Sequence, residues 1–295
     1  MKIEKITIVG GGLMGTGIAQ VAITAGYRVV LNDLKMELLE KSRSAIDKML
    51  NKSVAKGKMS EDDKNAAVSR LTLSDKLSSA SGADMVIEAA PERLEVKESI
   101  FKELSDICRE DTIFVTNTSS ISISLISSAV KNPERFIGMH FFSPVPLMEL
   151  VEIVRGLGTS DETVAAARGV GERFGKKCVV LKDGPGFVVN RMLVPMLNEA
   201  CFLLESGIGS IEDIDAGMRY GLNHPIGPFE LMDMSGIDVA FAALEVIFNE
   251  TGDSKYRPSQ LFKSMVRMGW LGRKTGKGFY IYHEDGSKAP NPDLL

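Results

Sequence analysis

"ITIVGGGLMGTGIAQ", residues 6–20, runs from four β-prone residues through a cluster of glycines into a stretch with helix character. Gly10, Gly12 and Gly15 stand in the G-x-G-x-x-G spacing, at the point where a buried strand turns sharply into a helix. In that arrangement the first glycine permits the turn and the second lets the backbone approach a pyrophosphate. The third allows close packing of helix on strand, while the helix start supplies amide donors. Leu13 and Met14 lie between the second and third glycines and belong to the same binding loop. Asp33 closes the next β-branched run, "RVVLND", where an acidic side chain accepts hydrogen bonds from ribose hydroxyls and repels a 2′-phosphate. The expected cofactor is therefore NAD rather than NADP; Lys35 is a single cation and does not by itself make a phosphate pocket. A glycine-rich turn that holds nothing is the alternative, and the strand, the helix and the acid all count against it.

Working outward, apolar runs recur as "KITIVG", "RVVLND", "ADMVIEAA", "TIFVTN", "RFIGMHFF", "LMELVEIV" and "KCVVLKD", separated by helix-like segments. Such alternation predicts an α/β fold, a doubly wound, mostly parallel sheet of the Rossmann type with helices on both faces. The segment from Leu34 to Leu71 reads as a long helix, a turn and a second helix. After "KDGPGF" the β-rich pattern stops and the chain turns helical, with turn and capping signals near Ser210, Pro225 and Pro258. The Gly184-Pro185-Gly186 turn divides a dinucleotide-binding domain, 1–184, from an all-α domain, 185–295. "VAFAALEVIF", residues 239–248, is apolar around nearly its whole circumference, which predicts a helix buried in that second domain or against another subunit.

Composition narrows the function classes. A chain of 295 residues with 44% hydrophobic and 25% charged residues suits two ordinary globular domains. No apolar run approaches the roughly 20 residues that span a bilayer. The net charge of -4 gives no general attraction for nucleic acid. Three widely spaced cysteines, with no export signal at the amino end, fit a reducing cytoplasm and argue against both a disulfide framework and a zinc site, so no metal is expected.

His140 is one of three histidines, set among apolar residues in "RFIGMHFFSPVPLMELVE", with Glu152 twelve positions further on. A lone histidine in such company is often a satisfied core residue. If "RFIGMHFF" is a sheet strand, however, His140 lies near its carboxyl end, the edge where open α/β sheets bind ligands. Glu152, on the next strand-like run, is then expected within reach of the imidazole. Such a pair suits oxidation of a secondary alcohol, the ring taking the hydroxyl proton while a hydride leaves the same carbon for a nicotinamide.

The set "NTSSISI", "GMHFFSPVPLMELVE", "DGPGFVVNRMLVPMLNEA" and "HPIGPFELMDMSGID" resembles the 3-hydroxyacyl-CoA dehydrogenases over nearly the whole chain. "AKGKMSEDDK", "ETGDSKYR" and "GWLGRKTGKGFY" bring it nearest to the short-substrate bacterial members acting on (3S)-3-hydroxybutyryl-CoA and acetoacetyl-CoA. The resemblance implies that Ser119 hydrogen-bonds the substrate oxygen, that His140 is the acid and base with Glu152 orienting it, and that Asn190 helps hold the substrate carbonyl. It puts the reaction in a cleft between the domains. Glu92, Lys97, Asn117, Ser119, Ser143 and Lys274 would contact the dinucleotide. Ser143 stands where the family has asparagine, keeping a hydroxyl but with a shorter reach.

Lys56 matches a position that contacts coenzyme A, while the family's neighbouring serine appears here as Met49. Most of the lysines on that long helix read as a solvated face. The resemblance further implies a homodimer through the helical domain, a small-molecule acyl-CoA substrate, and neither nucleic acid nor membrane as partner. His224 and His283 have no evident partner and read as structural or exposed. Two rival readings follow from the same plan. One is a hydroxyacid dehydrogenase acting on free acids through a catalytic lysine. The other is a binding protein of the crystallin kind that keeps the cofactor fold without turnover.

Overall fold

The computed structural model describes residues 2–294. They fall into two compact units, one ending at Gly184 and the other beginning at Pro185. The first unit runs β1 (Lys5–Val9), α1 (Leu13–Thr24), β2 (Arg28–Asn32), α2 (Met36–Ala55), α3 (Glu61–Val68), β3 (Leu71–Ser74), β4 (Met85–Glu88) and α4 (Leu94–Ile107). It continues through β5 (Ile113–Thr116), α5 (Ile123–Ser127), β6 (Phe136–Phe141), β7 (Leu150–Arg155), α6 (Asp161–Arg173) and β8 (Lys177–Lys182).

The eight strands form one sheet in the order β3-β2-β1-β4-β5-β6-β7-β8. Every neighbouring pair is parallel except β6 and β7. The exception has a simple cause: residues 142–149 are too few for the crossover of a dozen or more that a parallel return needs. β4, β5 and β6 are buried at every residue, as expected where helices cover both faces of a sheet. Ile6, Ile8, Leu31 and Ile87 from the sheet pack with Ile18 and Ile23 of α1 and Leu39 and Ile46 of α2 in one core. Each such side chain contributes about 1.5–3 kcal/mol by leaving water. β3 is not among the runs read from the sequence. Its four residues, Leu71–Ser74, form an edge strand in which only Leu71 is buried. No apolar run marks it.

The second unit holds α7 (Val189–Glu205), α8 (Ile211–Ala216), α9 (Pro228–Ser235), α10 (Ile237–Thr251) and α11 (Gln260–Arg267). Ser210 and Ser259 cap α8 and α11 by accepting from the amides of Asp213 and Phe262. The all-α expectation needs one correction, because an antiparallel pair, β9 (Tyr280–Tyr282) with β10 (Lys288–Pro290), sits among the helices. Asp233 anchors this ribbon by accepting from the Phe279 and Tyr280 amides and the Tyr282 hydroxyl. Burial pushes the Asp233 carboxyl above its usual range, and those three donors oppose the rise. α10 carries "VAFAALEVIF", and within the second unit it is buried along one stripe. Ile237, Ala240, Leu244 and Ile247 form a buried stripe, whereas Val239 is 57% exposed. Among the described residues no helix is long and apolar enough to cross a membrane.

Candidate functional site

The strand order reverses beside β1, which pairs with β2 on one side and β4 on the other. Ligands of open α/β sheets bind in the crevice that such a reversal leaves outside the carboxyl ends of the strands. The glycine loop follows β1 at that edge. Gly10 has φ +114°, and a Cβ there would lie 2.5 Å from the Ala89 carbonyl oxygen. A Cβ on Gly15 would lie 1.8 Å from the Gly10 carbonyl oxygen, so the start of α1 closes on the turn only without a side chain. Gly12 differs, since a Cβ there would meet nothing within 4 Å. The protein's own packing therefore accounts for two of the three glycines, and the third leaves open backbone where a phosphate group would lie. α1 begins at Gly12 with no side-chain cap and no acidic residue in its first turn, which leaves its amides to an anion. These features fit a dinucleotide.

Asp33 lies just past the end of β2. Its Oδ2 accepts from the Gly11 amide at 2.8 Å and its Oδ1 from the Lys35 amide at 3.3 Å, so the acid is held against the glycine loop. Asp33 to Ser with Leu34 to Arg is expected to shift the NAD-to-NADP ratio of kcat/KM by about 10- to 100-fold toward NADP. That is the worth of roughly 1.5–3 kcal/mol for hydrogen bonds to a charged group. Steady-state kinetics with both cofactors measures it, and an unchanged ratio would mean the ribose is read elsewhere.

The chain-distant pair is settled by register. β6 and β7 run antiparallel, and His140 stands directly opposite Glu152. His140 Nδ1 is 2.7 Å from Glu152 Oε2; the histidine side chain is 8% exposed and the glutamate 0%. The Phe142 ring lies 4.5 Å from the imidazole, centroid to centroid. A fully buried carboxylate at this distance holds the imidazole in one orientation, the arrangement that suits an acid–base pair. The connection that follows β6 is fixed by Lys176, whose buried ammonium donates to the carbonyls of Val145 at 2.5 Å and Met148 at 2.7 Å.

Between these two features lies a polar cluster at the ends of β4 and β5. Lys97, in the first turn of α4, is 1% exposed and contacts Glu88 at 2.8 Å and Glu92 at 3.2 Å. Glu92 Oε1 accepts from the Thr118 hydroxyl at 2.6 Å and the Ser119 amide at 2.8 Å, and the Ser119 hydroxyl is 3.2 Å away. Burial raises the Glu92 carboxyl, but the Lys97 charge and these donors together hold it below its usual range. Asn117 accepts from the Phe141 amide at 3.0 Å, which ties the loop after β5 to the end of β6.

The first unit thus gathers most of the residues read from the sequence at one sheet edge: the glycine loop with Leu13 and Met14, Asp33, Glu92, Lys97, Asn117, Ser119, His140 and Glu152. Ser143 is exposed two residues beyond β6. Lys56 is exposed at the carboxyl end of α2. The second unit carries Asn190, in the first turn of α7, and Lys274, whose ammonium is paired with Asp238 at 2.5 Å. His224 is half-buried and His283 exposed. The sequence reading missed Glu88 and Thr116. Their signal was a carboxylate and a hydroxyl, each ending an otherwise apolar strand, in "MVIE" and "IFVT".

The sequence profile of the 3-hydroxyacyl-CoA dehydrogenase NAD binding domain matches residues 5–184, and that of the 3-hydroxyacyl-CoA dehydrogenase C-terminal domain matches residues 186–282. The chain is 45% identical over 280 residues to a 3-hydroxybutyryl-CoA dehydrogenase of Bradyrhizobium diazoefficiens, covering 95% of this chain and 96% of that one. It is 44% identical to a probable 3-hydroxybutyryl-CoA dehydrogenase of Bacillus subtilis, covering 97% and 100%. Among solved structures, (S)-3-hydroxybutyryl-CoA dehydrogenase from Ralstonia eutropha superposes with a TM-score of 0.94 at 45% identity, covering 96% of this chain and all of that one. With both domain profiles matched in order and such identity along nearly its full length, the chain belongs to the 3-hydroxyacyl-CoA dehydrogenases.

Proposed function

We propose that this protein is an NAD-dependent oxidoreductase interconverting (3S)-3-hydroxybutyryl-CoA and acetoacetyl-CoA, with His140 and Glu152 as its acid–base pair. The observation that carries the reading is the buried 2.7 Å contact between His140 Nδ1 and Glu152 Oε2 at the ligand-binding edge of the sheet. NAD, when bound, supplies the acceptor for the hydride that leaves C3 of the substrate. With Nδ1 engaged by the carboxylate, His140 works through Nε2, which takes the proton of the C3 hydroxyl; Glu152 stabilises the imidazolium that results. In the reverse direction the imidazolium returns the proton to the ketone oxygen. Ser119 hydrogen-bonds the same oxygen, and Asn190 holds the substrate carbonyl.

On the cofactor side, the loop from Gly10 to Gly15 and Asp33 bind the phosphates and ribose, and Glu92, Asn117, Ser119, Ser143 and Lys274 complete the contacts. Lys97 serves there by holding Glu92, because its own ammonium is buried between two carboxylates. Lys56 meets the coenzyme A portion of the substrate. The first unit is the NAD-binding domain, and the second serves the substrate and a homodimer. Apolar residues exposed on the second unit, Met192, Tyr220 and Leu222 among them, offer surface for such an association. The reaction belongs to the cytoplasm.

Turnover of acetoacetyl-CoA against free acetoacetate, each with NADH, tests the substrate class. The thioester is expected to have the higher kcat/KM by at least about 100-fold, since contacts to the remote coenzyme A portion help orient the reacting carbon. Preference for the free acid would overturn the reading in favour of a hydroxyacid dehydrogenase. NADH binding without any turnover of the thioester would favour a non-catalytic relative.

A further inference from the structure

At the carboxyl end of β4 stands Glu88, an acid outside the proposed contacts to substrate and cofactor. Glu88 is 0% exposed, yet both of its oxygens are engaged. Oε1 accepts from the Ala90 amide at 2.6 Å and from Lys97 Nζ at 2.8 Å, and Oε2 accepts from the Thr116 hydroxyl at 2.6 Å. A buried charge is costly to keep, and replacing a buried ion pair by packed apolar groups is often neutral or stabilising. Stability alone is therefore a weak reason for a carboxylate here.

What the cluster does supply is direction. Lys97 Nζ leads from Glu88 to Glu92 Oε2 at 3.2 Å. The other oxygen of Glu92 gathers the Thr118, Ser119 and Ser120 hydroxyls and the Ser119 and Ser120 amides within 3.3 Å. These contacts join the ends of β4 and β5 and the first turn of α4, and through Glu92 Oε1 they hold the loop of Thr118, Ser119 and Ser120.

We infer that Glu88 is a positioning residue for the substrate-binding serine: it fixes Lys97, Lys97 fixes Glu92, and Glu92 sets the rotamer of the Ser119 hydroxyl. Glu92 has two rotatable bonds beyond its Cβ and keeps 37% of its side chain exposed, so by itself it has room to turn. Anchored on a lysine that is itself locked by a fully buried carboxylate, it has one place to go. A hydroxyl held in that way meets the reacting oxygen already oriented, and orientation is a large part of catalytic rate. This inference rests on the proposed contact between Ser119 and the substrate oxygen.

The test is a double-mutant cycle in kcat, measured with acetoacetyl-CoA and NADH at saturation. Glu88→Gln keeps the shape and removes the charge. In the otherwise unchanged enzyme it is expected to lower kcat about tenfold, the effect of roughly one charge-assisted hydrogen bond. In a Ser119→Ala background the same change is expected to cost less than about twofold, because the group it positions is gone and coupled residues are not additive.

An equal loss in both backgrounds overturns the inference, since a general structural role would act with or without the serine. No loss in either background overturns it too. Full kcat in Ser119→Ala alone instead overturns the assignment of Ser119, a failure distinct from additivity. Should Glu88→Gln not fold, Glu88→Asp keeps the charge but withdraws it from Lys97 by one methylene and enters the same cycle. A loss of about two- to threefold that disappears with Ser119→Ala supports the relay, and an equal loss in both backgrounds overturns it.

Discussion

His140→Gln is expected to lower kcat for hydroxybutyryl-CoA oxidation by about 10²- to 10⁴-fold, the usual contribution of a general base, and to leave NADH affinity unchanged. Glutamine retains a donor and an acceptor that can meet Glu152 across the β6 and β7 pairing, so the strands keep their register. What it lacks is a site that takes and returns a proton. The glycine loop and Asp33 lie after other strands, β1 and β2, so dinucleotide binding is expected to survive. Stopped-flow hydride transfer and NADH fluorescence titration separate the two quantities. A mutant with near-normal turnover would show that the proton travels by another route. If NADH binding fell as steeply as turnover, the substitution would have disturbed the fold of the sheet edge.

Lys97→Met is expected to destabilise the protein by about 3–5 kcal/mol, the cost of removing one partner from a buried ion pair. The lysine is 1% exposed, and the carboxylate it would abandon, Glu88, is 0% exposed. Methionine fills a similar volume but leaves Glu88 with the Ala90 amide and the Thr116 hydroxyl as its remaining donors. For a unit of this size the loss appears as a fall of roughly 6–20 °C in melting temperature.

A second substitution makes the argument specific. Glu88→Leu added to Lys97→Met removes the stranded charge, and it is expected to recover part of the lost stability. Calorimetry on the single and double variants measures both. An unchanged melting temperature in the single variant, or a further drop in the double, would mean that the cluster is solvated and its charges are not the source of the effect.

Much of the binding loop was legible because its chemistry is local. Gly10 and Gly15 are five positions apart, and the clash between a Gly15 Cβ and the Gly10 carbonyl belongs to that short segment alone. Asp33 was legible for a related reason, as the acid ending the next strand of a βαβ pattern. The reversed direction of β7 follows from the short connection after β6, which also lies in the sequence. β3 and the β9–β10 ribbon escaped because strands of three or four residues are too short for a two-residue alternation to stand out from turns. Composition describes the whole circumference of α10, while packing within the second unit selects the stripe of Ile237, Ala240, Leu244 and Ile247.

The sequence by itself determined the alternation of strands and helices, the glycine turn, the acid that ends β2 beside it and the kinship of the chain, all written in neighbouring residues or recurring motifs. Only the tertiary structure decided that His140 and Glu152 face each other across two strands, and that Glu88, Lys97, Glu92 and Ser119 form one connected cluster. The physical reason is range. Backbone turns and helix starts depend on residues a few positions apart, whereas a buried carboxylate finds its partner wherever the sheet register and the helix docking bring one within hydrogen-bonding distance.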